Sequence, residues 1–522
     1  MSEQLALLPG YLTAHLQLSL VALAIGAGVS LPLGIWITRR PGLEPGVLGL
    51  ASVIQTVPSL ALLAIMVPVL AGLGAFTARF GLELQGIGYA PALIALSLYS
   101  LLPMLRNTVA GIRSIDPALI EAARGVGMTD RQCLLRVELP LGAPVIVAGL
   151  RTATVWVVGT ATLSTPIGAT SLGNFIFSGL ATRNDTAVLV GCVAAAGLAL
   201  LLDGLIHALE VGVRDRRRGL SAGAGALLAL LCTWTGATLA LPRSNAVSGV
   251  VAIGSKAFTE QYILADLLAR QIAERSGAGT RKVPSLGSTV AFDALVNGDI
   301  DVYVDYSGTI WATIMKRGEL PSDRAQVLAG VERYLTERHD LGLVAVLGFE
   351  NTYSLAMRAD HARRLSLTSI SELARESPKL ELGGDYEFFG RAEWRALRRS
   401  YGLAFRARRS MDPALMYRAL ANGDVDVISA FSTDGRIAAF DLAVLDDDRE
   451  VIPPYDAIVL VGARLLRELP QVVAALRELD GRIDAATMRR TNLRVDGEGA
   501  TPSQAADELL ARIRAEALPD PG

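Results

Sequence analysis

The stretch DPALIEAARGVGMTDRQCLLRVELP, Asp116–Pro140, is polar, helical in pattern and flanked on both sides by long apolar segments. Asp116 is placed to cap a helix, with Pro117 at the first helical position, where a missing N–H costs nothing. Leu119, Ile120 and Ala123 then share one face. Gly125 and Gly127 break that helix, and Thr129 begins a second with Gln132 three residues on, the spacing of a capping box. The stretch therefore predicts a short helix, a glycine turn and another helix, held at a membrane surface.

The rest of the chain supports a membrane setting. Its 522 residues are too many for one ordinary domain, and a mean hydropathy of +0.40 with only 19% charged residues is too apolar for a fully soluble protein. A net charge of -2 implies no acidic or basic partner and gives no sign of nucleic acid. Cys133, Cys192 and Cys232 lack metal-ligand spacing and the four histidines are scattered, so neither a disulfide framework nor a metal site is expected. Crossing a bilayer takes about 20 apolar residues in a helix. Six stretches qualify: Leu12–Ile37, Val47–Leu73, Tyr89–Ile112, Pro144–Ile167, Val188–Val211 and Leu220–Leu241. No Lys or Arg precedes the first apolar core, so it reads as a span and not as a signal peptide. Arg39 and Arg40 come directly after the first span, and Arg214, Arg216, Arg217 and Arg218 after the fifth. By the positive-inside rule both clusters are cytoplasmic. Counting spans puts Asp116–Pro140 on the same side and the N-terminus outside. The sixth span then leads outward; the RDRRR run before it and the small residues Thr238-Leu239-Ala240 after it fit a retained anchor, the favoured reading, or a former signal peptide fused in place, and a polar linker, Pro242–Ser248, follows.

From Val250 onward short apolar strands such as Val250–Ile253 alternate with amphipathic helices such as Glu260–Ala273, the pattern of a soluble α/β domain. A repeat is visible at an offset of 125 positions: ALVNGDIDV, starting at Ala294, against ALANGDVDV, starting at Ala419. Each copy reads as a helix end, an Asn-Gly turn and a buried strand, and then an aromatic residue and a serine: Tyr306-Ser307 and Phe431-Ser432. Two similar lobes facing each other put those aromatics on opposite walls of one cleft. Lobes joined by crossing strands describe a binding protein that closes on its ligand by a hinge. The expected boundaries are 1–218 for the membrane domain, 219–249 for the sixth span and linker, and 250–522 for the binding domain. Within the last, lobe one is about 250–353 and 456–517, and lobe two about 354–455.

Two sets of motifs resemble known families. Glu121-Ala122-Ala123, Gly127 and Leu139-Pro140 resemble the "EAA" loop of type I ABC importer permeases. The likeness implies that these residues couple the membrane domain to a separate ATPase. In the second half, GSKAFTEQ (from Gly254), VDYSGT (from Val304), Asn351-Thr352-Tyr353, FSTDG (from Phe431) and Pro453-Pro454-Tyr455 resemble the osmoprotectant-binding family. That family recognises glycine betaine, choline, carnitine and related quaternary amines, and ergothioneine is a larger betaine of the same type. The whole is therefore expected to be multi-domain: an all-α transmembrane permease joined to an α/β two-lobed periplasmic-binding-protein-like (type II) domain. A quaternary ammonium has no N–H to donate, so its charge is read by aromatic faces. By position, the family's cage falls on Tyr306, Tyr353, Phe431 and Tyr455, with Phe258 as an additional wall. Its anion-binding positions fall on Lys256, Thr309 and Arg391, the last able to hold both carboxylate oxygens. Phe431 stands where the family usually has Tyr, and Asn351 where an acid is often found. Tyr386–Phe389 depart from the family's pattern, and Tyr417 reads as helix packing.

The chain has no G-x-x-x-x-G-K-[ST] loop for ATP and no evident Ser-His-Asp, Cys-His or H-E-x-x-H set. No catalytic residue, metal or cofactor is expected. The resemblance implies a permease homodimer with two copies of a separate ATPase, in the lipid of a bacterial plasma (inner) membrane, with the binding domain extracytoplasmic. The rival readings are a ligand-gated membrane sensor, which calls for a cytoplasmic signalling domain or pore loop, and a tethered enzyme, which calls for a catalytic motif.

Overall fold

The structure is a computed structural model and describes residues 2–77, 86–182, 184–215, 217–240, 249–317 and 323–517. Arg216, Leu241 and the Pro242–Ser248 linker lie outside the described residues. The chain divides into two compact units, one helical and one α/β.

Among the described residues of the helical unit five helices are long and apolar enough to cross a membrane: Gln4–Thr38, Tyr89–Arg113, Asp130–Ile167, Asp185–Arg214 and Arg218–Thr238. The predicted span Val47–Leu73 is not one straight helix. It is two, Glu44–Thr56 and Ser59–Thr77, bent by 98°. Pro58 causes the break, because proline pushes the residue before it out of the helical region. Val57 accordingly sits at φ -65°, ψ 127°, and its carbonyl accepts the Tyr99 hydroxyl. Small residues let the long helices touch: a methyl group on Gly111 or Gly142 would lie within about 3 Å of the other's carbonyl oxygen.

The Asp116–Pro140 stretch forms a helix Pro117–Gly125, a turn, and a second helix from Asp130. Asp116 accepts from Ala118 N at 2.9 Å, and Gly127 takes φ +85°, a conformation that disfavours any residue with a Cβ. Thr129 N bonds Gln132 Oε1 at 2.9 Å and Gln132 N bonds Thr129 Oγ1 at 3.3 Å, completing the capping box. No sequence signal announced the π-helical turn that residues Leu134–Glu138 then form, in which Leu139 N bonds Leu134 O. Pro140 explains it, since it has no N–H to return to Arg136. The wider turn buries Glu138, which pairs with Arg39.

The α/β unit holds two five-stranded sheets. The first contains β1 (Val251–Lys256), β2 (Thr280–Leu286), β3 (Val302–Tyr306), β4 (Gly342–Glu350) and β10 (Asp456–Val461), in the order β2-β1-β3-β10-β4. The second contains β5 (Tyr353–Arg358), β6 (Glu381–Gly384), β7 (Ala407–Ser410), β8 (Val427–Phe431) and β9 (Leu442–Leu445), in the order β7-β6-β8-β5-β9. In each, one strand is antiparallel to both its neighbours: β10 in the first and β5 in the second. The chain crosses between sheets at Glu350–Tyr353 and again between β9 and β10. Tyr353, expected in lobe one, pairs with Phe431 in the second sheet and belongs to lobe two.

The sequence repeat becomes a structural one. It yields β3 and β8 at matching places, with Gly298 and Gly423 at φ +76° and +83° in the preceding turns. Asp301 accepts from Ala252 N at 2.7 Å, and Asp426 accepts from Glu381 N at 2.9 Å. Each aspartate thus fastens its own strand to the start of the next.

Candidate functional site

The cleft-facing residues sit at one edge of both sheets. Lys256, Tyr306 and Phe431 end β1, β3 and β8, while Tyr353 begins β5 and Tyr455 immediately precedes β10. Because β5 and β10 run antiparallel to their neighbours, strand starts and strand ends meet at the same place. This is where open α/β sheets commonly bind ligands.

The five predicted aromatics form a continuous chain. Tyr306 and Phe258 have ring centroids 6.3 Å apart; Phe258 and Phe431 lie 6.2 Å apart and nearly parallel, at 6°. Phe431 is 5.1 Å from Tyr353, which meets Tyr455 edge-on at 6.1 Å. Tyr306, Tyr353 and Tyr455 are buried, and Phe258 and Phe431 half-buried. The Tyr455 ring lies against the backbone of Gly308, where a Cβ would come within 2.6 Å of it. Phe388 extends the cluster, 5.2 Å from Tyr353. Burial raises the Tyr306 and Tyr353 hydroxyl pKa values well above the usual range, so both stay neutral phenols. Tyr417 packs beneath, its hydroxyl accepting from Phe431 N at 3.0 Å.

The polar positions divide. Lys256 is buried and pairs with Asp305 at 2.5 Å, with its ammonium 5.5 Å from the Tyr306 ring centroid. Its charge is matched within the wall. Thr309 is buried in the helical turn after Tyr306. The side chain of Arg391 is 9% exposed and its guanidinium lies 5.2 Å from the Tyr353 ring centroid. One arm pairs with Glu387, while Nε and Nη1 are buried without a hydrogen-bond partner. Burial works against its charge, but Glu387 and Glu393 oppose burial and its pKa stays above the ordinary value. An unsatisfied buried donor pair is costly unless something accepts from it. A cavity of about 470 Å³ opens there, lined by Ala312 and Lys316 from lobe one and by Glu387, Arg391 and Arg395 from lobe two.

The sequence reading missed Glu260. It is 2% exposed, and four neutral donors converge on its carboxylate. Tyr306 Oη at 2.6 Å and Asn351 Nδ2 at 3.0 Å reach Oε1; Thr433 Oγ1 at 2.5 Å and Asn492 Nδ2 at 2.9 Å reach Oε2. These donors come from lobe one, the first crossing, lobe two and the C-terminal helix Ala485–Asp496. An acid in the first turn of a helix ordinarily reads as a solvated partner of the helix dipole, so no local signal marked it. Glu393, whose Oε1 accepts from Tyr455, was missed too. Among the described residues no cluster of three or more His, Cys, Asp or Glu is arranged to hold a metal ion.

Comparison with known proteins assigns both halves. Residues 249–512 match the family described as the substrate binding domain of the ABC-type glycine betaine transport system. Residues 30–215 match the binding-protein-dependent transport system inner membrane component. The chain is 29% identical over 474 residues to the ergothioneine transport permease/ergothioneine binding protein of Helicobacter pylori (strain G27), covering 88% of this chain and 82% of that one. The membrane half is 42% identical to a carnitine transport permease protein of Listeria monocytogenes, over 39% of this chain and 89% of the relative. The second half is 32% identical to a carnitine transport binding protein of the same species, over 50% and 86%. These are transport proteins and not an enzyme class, and nothing in them supports a ligand-gated sensor. The chain belongs to the ABC-type glycine betaine transport system family and fuses, in one polypeptide, a membrane-embedded permease component to a substrate-binding domain.

Proposed function

We propose that this subunit imports a quaternary ammonium compound bearing a carboxylate, such as glycine betaine or carnitine, driven by a separate ATPase. The observation that carries this reading is the pairing of an aromatic cluster drawn from both lobes with Arg391, whose Nε and Nη1 are buried and make no hydrogen bond. The rings Tyr306, Phe258, Phe431, Tyr353 and Tyr455 would take the cation, which is attracted to a ring face within about 6 Å. Arg391, with Thr309, would take the carboxylate. Specificity for ergothioneine is the second reading, favoured by the fused arrangement shared with the Helicobacter relative.

The binding domain, from about residue 250, would face the outside, tethered by the sixth span. Two permease copies would pair with two ATPases. The loop containing Glu121, Ala122, Ala123 and Gly127, and ending at Leu139 and Pro140, would seat in a groove of each ATPase. It exposes Leu119 at 49%, Val126 at 76% and Leu135 at 53%, an apolar face suited to a partner.

The test is calorimetric titration of the full chain in nanodiscs with glycine betaine, carnitine, choline and ergothioneine. Binding of a carboxylated betaine, lost on Tyr306→Ala and weakened on Arg391→Ala, is the expected result. A folded protein that binds none of the four overturns the assignment and leaves the permease architecture standing.

A further inference from the structure

Glu260 poses a charge problem that the fold does not solve. An ionised carboxylate held away from water is expensive unless a cation compensates it. The hydrogen-bond pattern says that this one is ionised. Tyr306 Oη accepts from Gln261 Nε2 at 3.1 Å, which leaves the phenol proton to point at Glu260. Thr433 and the two asparagine amides also donate, so all four bonds run towards the carboxylate, as an acceptor-only group requires. Yet every donor is neutral, and among the described residues no cation lies within ion-pair distance of Glu260. The nearby Lys256 charge is already matched by Asp305. Burial pushes the Glu260 pKa up, against the four donated hydrogen bonds that pull it down, so the charge is held by those donors alone. The first-lobe wall therefore carries one negative charge without a counterion, at the hydroxyl end of Tyr306.

We propose that the missing counterion is the ligand's own cation: Glu260 is a specificity-determining residue whose buried charge, transmitted past the Tyr306 ring, makes the cleft select a cationic head over a neutral group of the same shape. This rests on the quaternary-amine reading above and deepens it. Cation–π attraction alone favours an ammonium modestly; a carboxylate about 7 Å away in a medium of intermediate dielectric adds a further factor of about ten or more. Glu260 acts through Tyr306 and does not need to touch the ligand.

The experiment compares shape-matched pairs on the full chain in nanodiscs: glycine betaine against 3,3-dimethylbutanoate, and choline against 3,3-dimethylbutan-1-ol. For each variant the readout is the ratio of the two dissociation constants, which a general loosening of the site does not move. Glu260→Gln, isosteric but uncharged, is expected to lower the ratio about tenfold or more, and Glu260→Asp to retain most of it. Gln261→Lys leaves the carboxylate in place but supplies an internal cation; it is expected to lower the ratio likewise and serves if Glu260→Gln does not fold. An unchanged ratio in a folded Glu260→Gln or Gln261→Lys protein, with wild type still binding betaines, overturns the counter-charge and leaves the quaternary-amine reading intact. A wild type that binds neither cation overturns both.

Discussion

Arg391→Gln offers the sharpest separation between a zwitterion site and a simple cation site. In the present structure the guanidinium Nε and Nη1 are buried and make no hydrogen bond within the protein, Nη1 lying 3.8 Å from Glu393 Oε1. If a ligand carboxylate accepts from both, the substitution removes two hydrogen bonds to a charged group, each worth about 1.5–3 kcal/mol. Taking the low end of that range gives about 3 kcal/mol, or roughly a 150-fold loss of affinity for glycine betaine. Choline has no carboxylate, so its affinity is expected to change by less than about threefold, or to improve, because a buried positive charge has been removed from its neighbourhood. Titration calorimetry of both ligands against wild type and variant reads the two effects directly. A melting curve guards against collapse, since Glu387 and buried Glu393 lose their partner. Equal weakening of both ligands, or no change in either, refutes the idea that Arg391 is aimed at a carboxylate.

The geometry carries three further expectations. Arg436 is 3% exposed, holds Asp434 through Nε at 2.9 Å and Nη2 at 2.5 Å, and lies 4.1 Å from the Tyr417 ring centroid. Arg436→Ala strands Asp434 and is expected to cost the binding domain about 3–5 kcal/mol, seen as a lower urea midpoint. Gly127→Val forces a β-branched residue into φ +85° and should abolish uptake in proteoliposomes with the ATPase, while ligand binding is unchanged. Asp484 accepts from Thr487 N at 2.6 Å, and the bonds from Thr487 hold its carboxyl below the usual pKa. A depressed folded-state pKa gives stability that is present above the unfolded value, about 3.9, and is lost as pH falls through the folded one. Asp484→Asn should therefore flatten the acid limb of the stability–pH curve below about pH 4, measured by denaturant unfolding.

What was legible in the sequence was whatever repeats or is periodic. The offset copies at Ala294 and Ala419 announced β3 and β8, their glycine turns and two of the aromatic walls. The capping residues Asp116, Thr129 and Gln132 announced the two helices of the Asp116–Pro140 stretch, since a cap is a local event. Two kinds of feature escaped. Val57-Pro58 lies inside a run apolar enough to be a span, and hydropathy does not see the direction change that proline imposes. Glu260 was hidden for a different reason: its partners Tyr306, Asn351, Thr433 and Asn492 are scattered along the chain, and nothing in their own segments links them to one carboxylate. Long-range convergence of neutral donors has no sequence signature.

The duplication places the candidate site, and the departures from it are the basis of the proposed ligand preference. Asp301 and Asp426 do the same work, which makes Ala252 and Glu381 equivalent, and hence Lys256 and Asp385 four residues on. One is basic and the other acidic. In lobe one Lys256 neutralises Asp305, and the wall is left with the charge of Glu260. In lobe two Asp385 instead accepts from Glu387 N at 2.8 Å and Phe388 N at 2.9 Å, folding a tight turn. That turn sets Phe388 against Tyr353 and brings Arg391 to within 5.2 Å of the same ring centroid. Two half-domains built on one plan thus end in different chemistry: a buried carboxylate without a cation on one side, and on the other a guanidinium that pairs with Glu387 and lies 3.8 Å from Glu393 yet keeps Nε and Nη1 free of hydrogen bonds. A ligand with a positive and a negative end complements that polarity in one orientation only, which is why the ligand proposed is a zwitterion and not a simple cation.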